Sequence, residues 1–212
     1  MYICPLKFLT KTNKMKKILL SAVAVMAFMS VSAQETRFGV KAGVNFHTLT
    51  GDIEDQSSKV GFQAGAFAEF KLSDKFAIQP ELLYSTQGTK FEEGDDEIKY
   101  NLSYLNIPVM AKYYVAEKFS LEAGPQIGFL LSAKGKFDIT EEGVSVSGDE
   151  DIKDSFESID FGINFGAGYD FTENLSAGIR YNLGLSNIAK TEEGSDAKIK
   201  NSVFSLSVGY KF

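Results

Sequence analysis

The chain has 212 residues, with 22 basic and 28 acidic side chains and a net charge of −6 at neutral pH. This length suits a single domain. The acidic balance argues against nucleic acid as a partner, because nucleic-acid binding requires a basic surface.

The N-terminal segment has the three parts of a secretory signal. A basic start at Met15-Lys-Lys17 precedes an apolar core of 14 residues, and Val31-Ser-Ala33 is a small-residue cleavage site. The core is shorter than the ~20 residues that a membrane-spanning helix needs, so an uncleaved anchor is disfavoured. We therefore expect cleavage near Ala33, between Ala33 and Gln34.

This signal divides the chain into two parts. Residues 1–33 are an N-terminal extension and cleaved signal peptide, in which residues 1–14 precede the more convincing start at Met15. Residues 34–212 are the folded domain, with 17 basic and 28 acidic side chains and a net charge of −11. Cleavage also removes Cys4, the only cysteine, so no disulfide, thiol nucleophile or cysteine-ligated metal site remains.

Eight runs of alternating apolar and small or polar residues make up the folded domain. Such period-two alternation predicts β-strands with one apolar face. In chain order the runs are 37–49, 59–72, 76–91, 99–115, 119–139, 156–171, 175–188 and 199–212.

The connections between these runs alternate in length, which predicts antiparallel neighbours in an up-and-down order. Three connections are short turns, 73–75, 116–118 and 172–174, and four are longer loops, 50–58, 92–98, 140–155 and 189–198.

The direction of the apolar face decides between a soluble and a membrane barrel. The eight faces together carry about 50 apolar side chains, whereas the interior of an eight-stranded barrel is only just filled by side chains or one small ligand. A soluble lipocalin-like barrel is therefore excluded, and the apolar faces point outward into lipid. We predict an all-β fold, an eight-stranded antiparallel up-and-down transmembrane β-barrel of the bacterial outer membrane, with short periplasmic turns and longer external loops.

The last run supports this location. Its apolar residues alternate with small or polar ones, and its last residue is aromatic, in the order Phe204, Leu206, Val208, Tyr210 and Phe212. Such a strand is similar to the signal that the barrel-assembly machinery of the outer membrane reads. We expect that machinery and outer-membrane lipid as partners.

Four segments resemble a known family. They are Tyr104-Leu-Asn-Ile-Pro-Val-Met-Ala-Lys-Tyr-Tyr114, Leu121-Glu-Ala-Gly-Pro-Gln-Ile-Gly128, Phe38-Gly-Val-Lys-Ala-Gly-Val-Asn45 and Gln79-Pro-Glu-Leu-Leu-Tyr-Ser85. They are similar to the outer-membrane β-barrel (PorT-like, porin family) proteins of Bacteroidetes-type bacteria, and the likeness extends over residues 35–212. The resemblance implies the barrel fold and the outer-membrane location. The family name also implies an accessory role in protein secretion, which no named residue of this chain carries.

The inward face of the predicted barrel carries a set of charged residues. A symmetric turn at 116–118 sets Lys112 directly opposite Glu122, and such cross-strand pairs contribute roughly 0.2–1 kcal/mol. Each charge in a filled lumen needs a partner, because an unpaired buried ion costs several kcal/mol. We interpret the set as a structural lumen charge network that plugs the barrel, with a selective ion path as the alternative. Its predicted members are Lys41, Glu69, Glu81, Lys112, Glu122, Asp160 and Arg180, and Asp170 and Lys211 share the same face.

The only histidine, His47, lies on the lumen face near the external end of the first strand. A catalytic base must reach a hydroxyl, but no nucleophile motif surrounds His47, so we expect a surface residue. A metal site formed by His47 with Asp52 is hardly better supported. We assign no catalytic, cofactor-binding or metal-binding residue.

The four longer loops hold 17 of the 28 acidic residues. Carboxylate oxygens bind Ca²⁺ or Mg²⁺, so divalent cations are a candidate ligand of these acidic loops. No EF-hand spacing is present, and solvated loops are the expected interpretation.

Three prolines, Pro80, Pro108 and Pro125, lie within predicted strands. Because proline donates no backbone hydrogen bond and a closed barrel has no edge, we expect a bulge or a local break in the ladder there.

These observations favour a non-enzymatic outer-membrane barrel with a structural or surface-interaction role. The alternatives are an accessory component of protein secretion or outer-membrane assembly, and a narrow ion channel. The sequence does not identify a cofactor, an external ligand or a protein partner.

Overall fold

A computed structural model of the chain describes residues 35–52, 57–93, 96–141, 144–190 and 198–212. Within these ranges, the side chains of residues 92–97 and 138–146 lie outside the description. The predicted signal peptide and its cleavage site near Ala33 also lie outside the described residues.

The described part of the chain forms nine β-strands and one short 3₁₀ helix. The strands are β1 (Glu35–Gly51), β2 (Ser57–Ser73), β3 (Phe76–Glu93), β4 (Asp96–Ala116), β5 (Phe119–Glu141), β6 (Val144–Asp151), β7 (Ile159–Asp170), β8 (Leu175–Gly184) and β9 (Ile199–Lys211), and the helix spans Lys153–Ser155.

Eight of these strands close into a ring in which all neighbours are antiparallel. The order around the ring is β1–β2–β3–β4–β5–β7–β8–β9, and β9 pairs back with β1. Among the described strands, β6 pairs with β5 alone and lies outside the ring. The predicted all-β, eight-stranded antiparallel barrel is confirmed.

The two ends of the ring differ as the connection lengths predict. Turns at Asp74–Lys75 and Glu117–Lys118 and the bend at 171–174 lie at one end, which we call the short-turn end. The described strand ends that flank the remaining connections, together with β6, lie at the opposite, long-loop end.

Strand pairing at the long-loop end extends beyond the predicted boundaries. Strand β4 has 21 residues and β5 has 23, and the predicted loop 140–155 contains β6 and the 3₁₀ helix instead. Here Lys134 opposes Asp151 and Lys136 opposes Asp149. Opposite charges stabilise such pairs in water without an apolar face, so alternating hydrophobicity gave no strand signal.

The three strand prolines interrupt hydrogen bonding without changing the register. Between β3 and β4 the backbone pairs pass from Pro80↔Val109 to Leu83↔Asn106, and between β4 and β5 from Pro108↔Gln126 to Ala111↔Ala123. Both gaps keep one register, so they are local breaks rather than bulges. The register shifts between β4 and β5 lie instead between Ser103 and Tyr104 and between Tyr114 and Ala116.

Outward side chains form an apolar belt around the ring. Phe38 is 62% exposed and Val208 54%. An apolar surface that continues around a whole molecule requires lipid, because soluble proteins rarely expose large contiguous apolar patches. Each ring strand contributes an exposed apolar residue, in ring order Phe38, Phe62, Leu82, Val109, Leu121, Phe161, Ile179 and Val208. Among the described residues, no helix is long and apolar enough to cross a bilayer.

Candidate functional site: the barrel interior

The interior side chains are arranged in layers along the barrel axis. A charged layer occupies the half near the short-turn end, and a neutral polar layer follows it. An apolar cap closes the long-loop end. The layers follow from strand geometry, since alternate residues of each strand point inward.

The charged layer takes one ionisable residue from each of the eight ring strands. Four are basic and four acidic, so the formal charge of the layer is zero. In order from β1 to β9 they are Lys41, Glu69, Glu81, Lys112, Glu122, Asp170, Arg180 and Lys211, and we call them the lumen charge network.

Glu81 and Arg180 form the centre of one half of this network. Arg180 Nη1 lies 2.8 Å from Glu81 Oε2 and Nη2 lies 2.9 Å from Glu81 Oε1, a bidentate pair. Nη2 also donates to Glu122 Oε2 at 2.9 Å, and Lys41 Nζ donates to Glu81 Oε1 at 2.8 Å. Both carboxylates thus have buried cationic partners.

Glu69 forms the centre of the other half. Lys112 Nζ lies 2.8 Å from Glu69 Oε2, and Lys211 Nζ lies 3.1 Å from Glu69 Oε1. Lys211 also contacts Asp170 Oδ2 at 3.2 Å, and Tyr114 donates its hydroxyl to Glu69 Oε2 at 3.2 Å. Below this half, a basin of about 550 Å³ opens at the short-turn end.

The predicted pairing of Lys112 with Glu122 links the two halves. The two residues are direct cross-strand partners, as the turn at 116–118 predicts, and Lys112 Nζ lies 3.7 Å from Glu122 Oε1. Six of the seven predicted members lie in the network. Sequence reasoning placed Asp170 and Lys211 on the same face but did not assign them to it.

The seventh predicted member, Asp160, lies apart from the network near the long-loop end. Its Oδ1 accepts a hydrogen bond from Ser186 Oγ at 2.7 Å, and its Oδ2 accepts one from Asn201 Nδ2 at 2.7 Å. Asn201 Oδ1 lies 2.8 Å from His47 Nε2, so the amide bridges the carboxylate and the imidazole. The pairing of Asp160 with an amide rather than a cation depends on tertiary position, which the sequence pattern does not give.

His47 is buried rather than at the surface, with 0% exposure. Its Nδ1 contacts the backbone of Gly88, and its Nε2 contacts Asn201. Asp52 is exposed and accepts a hydrogen bond from the Lys198 N–H at 2.9 Å. Among the described residues, no group of three or more His, Cys, Asp or Glu side chains could hold a metal ion. Most acidic-loop carboxylates considered for divalent cations lie outside the described side chains.

The neutral layer consists of amides and hydroxyls that bond to one another. Asn182 Nδ2 donates to Asn164 Oδ1 at 3.0 Å, and Asn164 donates to Gln126 at 3.2 Å. Asn45 donates to Ser85 Oγ at 2.9 Å. A cavity of about 20 Å³ lies in this layer and another of about 20 Å³ lies in the charged layer. A volume of that size holds roughly one water molecule, so the described side chains leave little space around these two cavities.

The apolar cap is a buried cluster that the sequence interpretation missed. It consists of Leu49, Leu102, Tyr104, Leu130, Ala133 and Ile188, with Ile152, Phe156 and Ile199 packed against it. Leu49, Leu102 and Leu130 occupy inward positions of their strands, on the face that the alternation assigned mainly to small and polar residues. The inward position of these three leucines in the alternation was the signal from which the cap could have been predicted. Phe156 and Ile188 were predicted as strand residues, but β7 begins at Ile159 and β8 ends at Gly184, and both residues pack in the cap instead.

Comparison with known proteins finds one matching family. A family model described as "Outer membrane protein beta-barrel domain" matches residues 32–190. No curated protein matches the chain.

Solved structures with a similar fold include two bacterial proteins. Ail, the attachment invasion locus protein of Yersinia pestis, solved in complex with the heparin analogue sucrose octasulfate, is 17% identical with a TM-score of 0.50, covering 84% of this chain and 100% of Ail. Neisserial surface protein A is 15% identical with a TM-score of 0.46, covering 84% of this chain and 100% of that protein. At these identities the likeness concerns the fold.

Proposed function

The chain belongs to the outer membrane protein β-barrel domain family, and we propose that it is a non-enzymatic barrel with a structural or surface-interaction role and a plugged lumen. In this proposal residues 34–212 form the mature protein after cleavage near Ala33, and the short-turn end faces the periplasm, as in bacterial outer-membrane barrels. The long-loop end then faces the exterior.

The filled interior is the observation that supports the plugged lumen. The lumen charge network links all eight ring strands through paired charges, and the apolar cap covers the external end. An ion that entered would have to break these pairs and then cross an apolar layer, and both steps are costly in a site without bulk water. The same closure leaves His47 and Asp160 without access to an external substrate.

The part of the sheet beyond the ring supports the surface-interaction role. Strand β5 continues past the ring for residues 132–141, which is about 33 Å along an extended strand. Strands β3, β4 and β6 accompany it. Among the described strands, β6 pairs only with β5, and an edge of this kind offers backbone groups to a partner strand.

Planar-bilayer recording of the refolded mature barrel tests the plugged lumen. We expect no stable conductance steps under conditions in which a wide porin, recorded as the positive control, conducts. Large, reproducible steps would support the narrow ion channel and contradict the plug.

Site-specific photo-cross-linking in whole cells separates surface interaction from the secretion accessory role that the PorT-like resemblance implies. Ser147 on β6 and Thr172 at the short-turn end are both exposed. A cross-linker at Ser147 should give adducts with external molecules, and one at Thr172 serves as the comparison. Stoichiometric adducts with periplasmic proteins from Thr172 alone would favour the accessory role.

A further inference from the structure

The only histidine of the chain is enclosed beneath the apolar cap. His47 is 0% exposed, and Leu49, two positions further along β1, belongs to the cap. The Gly88 N–H donates to His47 Nδ1 at 3.1 Å. Because the Nδ2 group of Asn201 donates to Asp160, its Oδ1 faces the ring and accepts a hydrogen bond from His47 Nε2 at 2.8 Å. This arrangement provides the imidazole with the hydrogen bonds of its neutral form.

A chain of hydrogen bonds connects this imidazole to the segment that completes the cap. Asn201 donates to Asp160 Oδ2 at 2.7 Å, and Ser186 Oγ donates to Asp160 Oδ1 at 2.7 Å. Ser186 belongs to residues 185–190, which we call the cap segment because they include Ile188 of the apolar cap. A change at the imidazole therefore reaches the cap segment through two intervening side chains.

Isolated hydrogen bonds hold the cap segment, because β8 ends before it. The Ile188 N–H donates to the Ile199 carbonyl oxygen at 2.8 Å, and the Ile188 carbonyl oxygen accepts from the Glu157 N–H at 2.8 Å. The Lys190 N–H donates to the Ser155 carbonyl oxygen at 3.0 Å. Segments whose bonds lie outside the strand ladders open at a lower cost than the ladders do, so the cap segment is the part of the cap best able to move.

No direct counter-ion accompanies the imidazole among the described side chains, since no carboxylate oxygen contacts either ring nitrogen. Lys59 on β2 is the direct cross-strand partner of His47, and its positive charge opposes a second one at the ring. Asp160 on β7 is separated from the ring by an amide, and β4 contributes the neutral Tyr104 hydroxyl, which lies beside that carboxylate. The Gly88 carbonyl oxygen of β3 can accept the proton of a charged Nδ1, and β9 and the cap face the ring with neutral groups. An imidazolium in this place would be hydrogen-bonded but not neutralised.

We propose that the apolar cap is a proton-sensitive lid, which closes over a neutral His47 and opens when the imidazole becomes charged. Burial of an ion without a direct partner is strongly unfavourable, and water that enters beneath a displaced cap segment hydrates the imidazolium. The open form therefore binds the proton more tightly than the closed form does, and acid shifts the population toward the open form.

The direction of this coupling sets the pH range of the lid. The closed lid has its full stability above the pH at which a hydrated imidazole titrates, about 6.5. Below that pH its stability relative to the open form falls by about a factor of ten for each pH unit. The lumen charge network lies on the other side of the neutral layer and keeps the lumen plugged when the lid opens. The half of the interior nearest the long loops thus becomes accessible only in mildly acidic surroundings.

Solution NMR of the refolded mature chain in micelles measures the proton and the lid in one sample. Because His47 is the only histidine, an untagged chain gives a single imidazole titration. The Ile188 and Glu157 amides, both hydrogen-bonded at the cap segment, report opening through their hydrogen-exchange protection factors, from which the intrinsic effect of pH is removed. We expect these protection factors to fall about tenfold per pH unit below about pH 6.5, in step with the imidazole titration. The amides of the ring strands within the apolar belt should keep their protection.

Two variants identify the group that titrates. His47→Gln removes the ionisable ring but keeps a side chain that donates and accepts hydrogen bonds, and it should make the Ile188 protection factor independent of pH. Asp160→Asn is the matched control, because it removes the ionisable carboxylate from the same chain of hydrogen bonds, and it should keep the pH response. Heat-modifiable gel migration establishes that both variants are folded.

Three results would overturn the proposal. They are a wild-type protection factor that does not change with pH, a loss of protection that includes the belt amides, and a pH response that persists in His47→Gln. If His47→Gln does not fold, the wild type decides alone. An imidazole titration that does not coincide with the loss of protection at Ile188 would then contradict the lid, and coincidence of the two would support it.

Discussion

At the scale of single residues, the lumen charge network makes Glu81 the most sensitive position of the interior. Its carboxylate receives both Arg180 guanidinium nitrogens and Lys41. We expect Glu81→Gln to lower the free energy of unfolding by about 3 kcal/mol, because removing one partner of a buried ion pair leaves the other uncompensated. Urea unfolding in micelles measures this, followed by tyrosine fluorescence because the chain has no tryptophan.

Two further variants make that experiment specific. Glu173→Gln removes a carboxylate from an exposed rim pair with Arg37, at 3.7 Å, and should leave the free energy of unfolding unchanged. Glu81→Gln with Lys41→Gln restores the zero charge of the network and should recover part of the loss. If Glu81→Gln behaves like Glu173→Gln, the network does not stabilise the barrel.

The same residues show where sequence reasoning on the site succeeds and where it ends. A turn of known length fixes the register of one hairpin, so Lys112 could be set opposite Glu122 from sequence alone. The link between Glu81 on β3 and Arg180 on β8 crosses the lumen, and no local pattern specifies such a distance. Asp160 shares the inward parity of the network but lies at another height, which explains its separate partners.

At the scale of elements, strand β6 is separable from the ring. It pairs with β5 along residues 134–141 only, whereas β5 pairs with β7 through Phe129. Lys136 and Asp149 are direct partners, so an Asn-Gly turn can join them in place of Phe137–Gly148. We expect this variant to keep the free energy of unfolding and the heat-modifiable migration of the wild type. If the variant lost the heat-modifiable migration of the folded ring, β6 would belong to the same cooperative unit as the ring.

Strand β6 also shows where the alternation of apolar and polar residues stops predicting strands. In the belt, lipid on one side and packed polar groups on the other require a strict period of two, and the eight ring strands were predictable there. Beyond the belt both faces meet water or the apolar cap. Cross-strand neighbours of opposite charge, such as Lys134 and Asp151, oppose each other there, and a segment rich in Ser, Gly and Asp has the composition of a loop.

At the scale of the whole molecule, the barrel exists only when β9 closes the ring against β1. Phe212 contributes to that seam through its backbone, with its N–H 2.8 Å from the Phe38 carbonyl oxygen. Its side chain is 72% exposed and makes an edge contact with Tyr210 at 5.6 Å. The phenyl group of Phe212 therefore contributes little to the folded structure. We propose that it acts instead as part of the signal that the barrel-assembly machinery recognises.

The substitution Phe212→Ala separates these two roles. Phe171→Ala is the matched control, since Phe171 lies at the same end, is 52% exposed and contacts Tyr169 edge-on at 5.2 Å. Both variants should refold in micelles with similar stability, because each loses one lipid-facing ring and no interior contact. In cells, folded protein recovered from the outer membrane should fall several-fold for Phe212→Ala and stay near wild type for Phe171→Ala. Equal recovery of the two variants would reduce Phe212 to a packing residue, and the strand would then be recognised by its alternation alone.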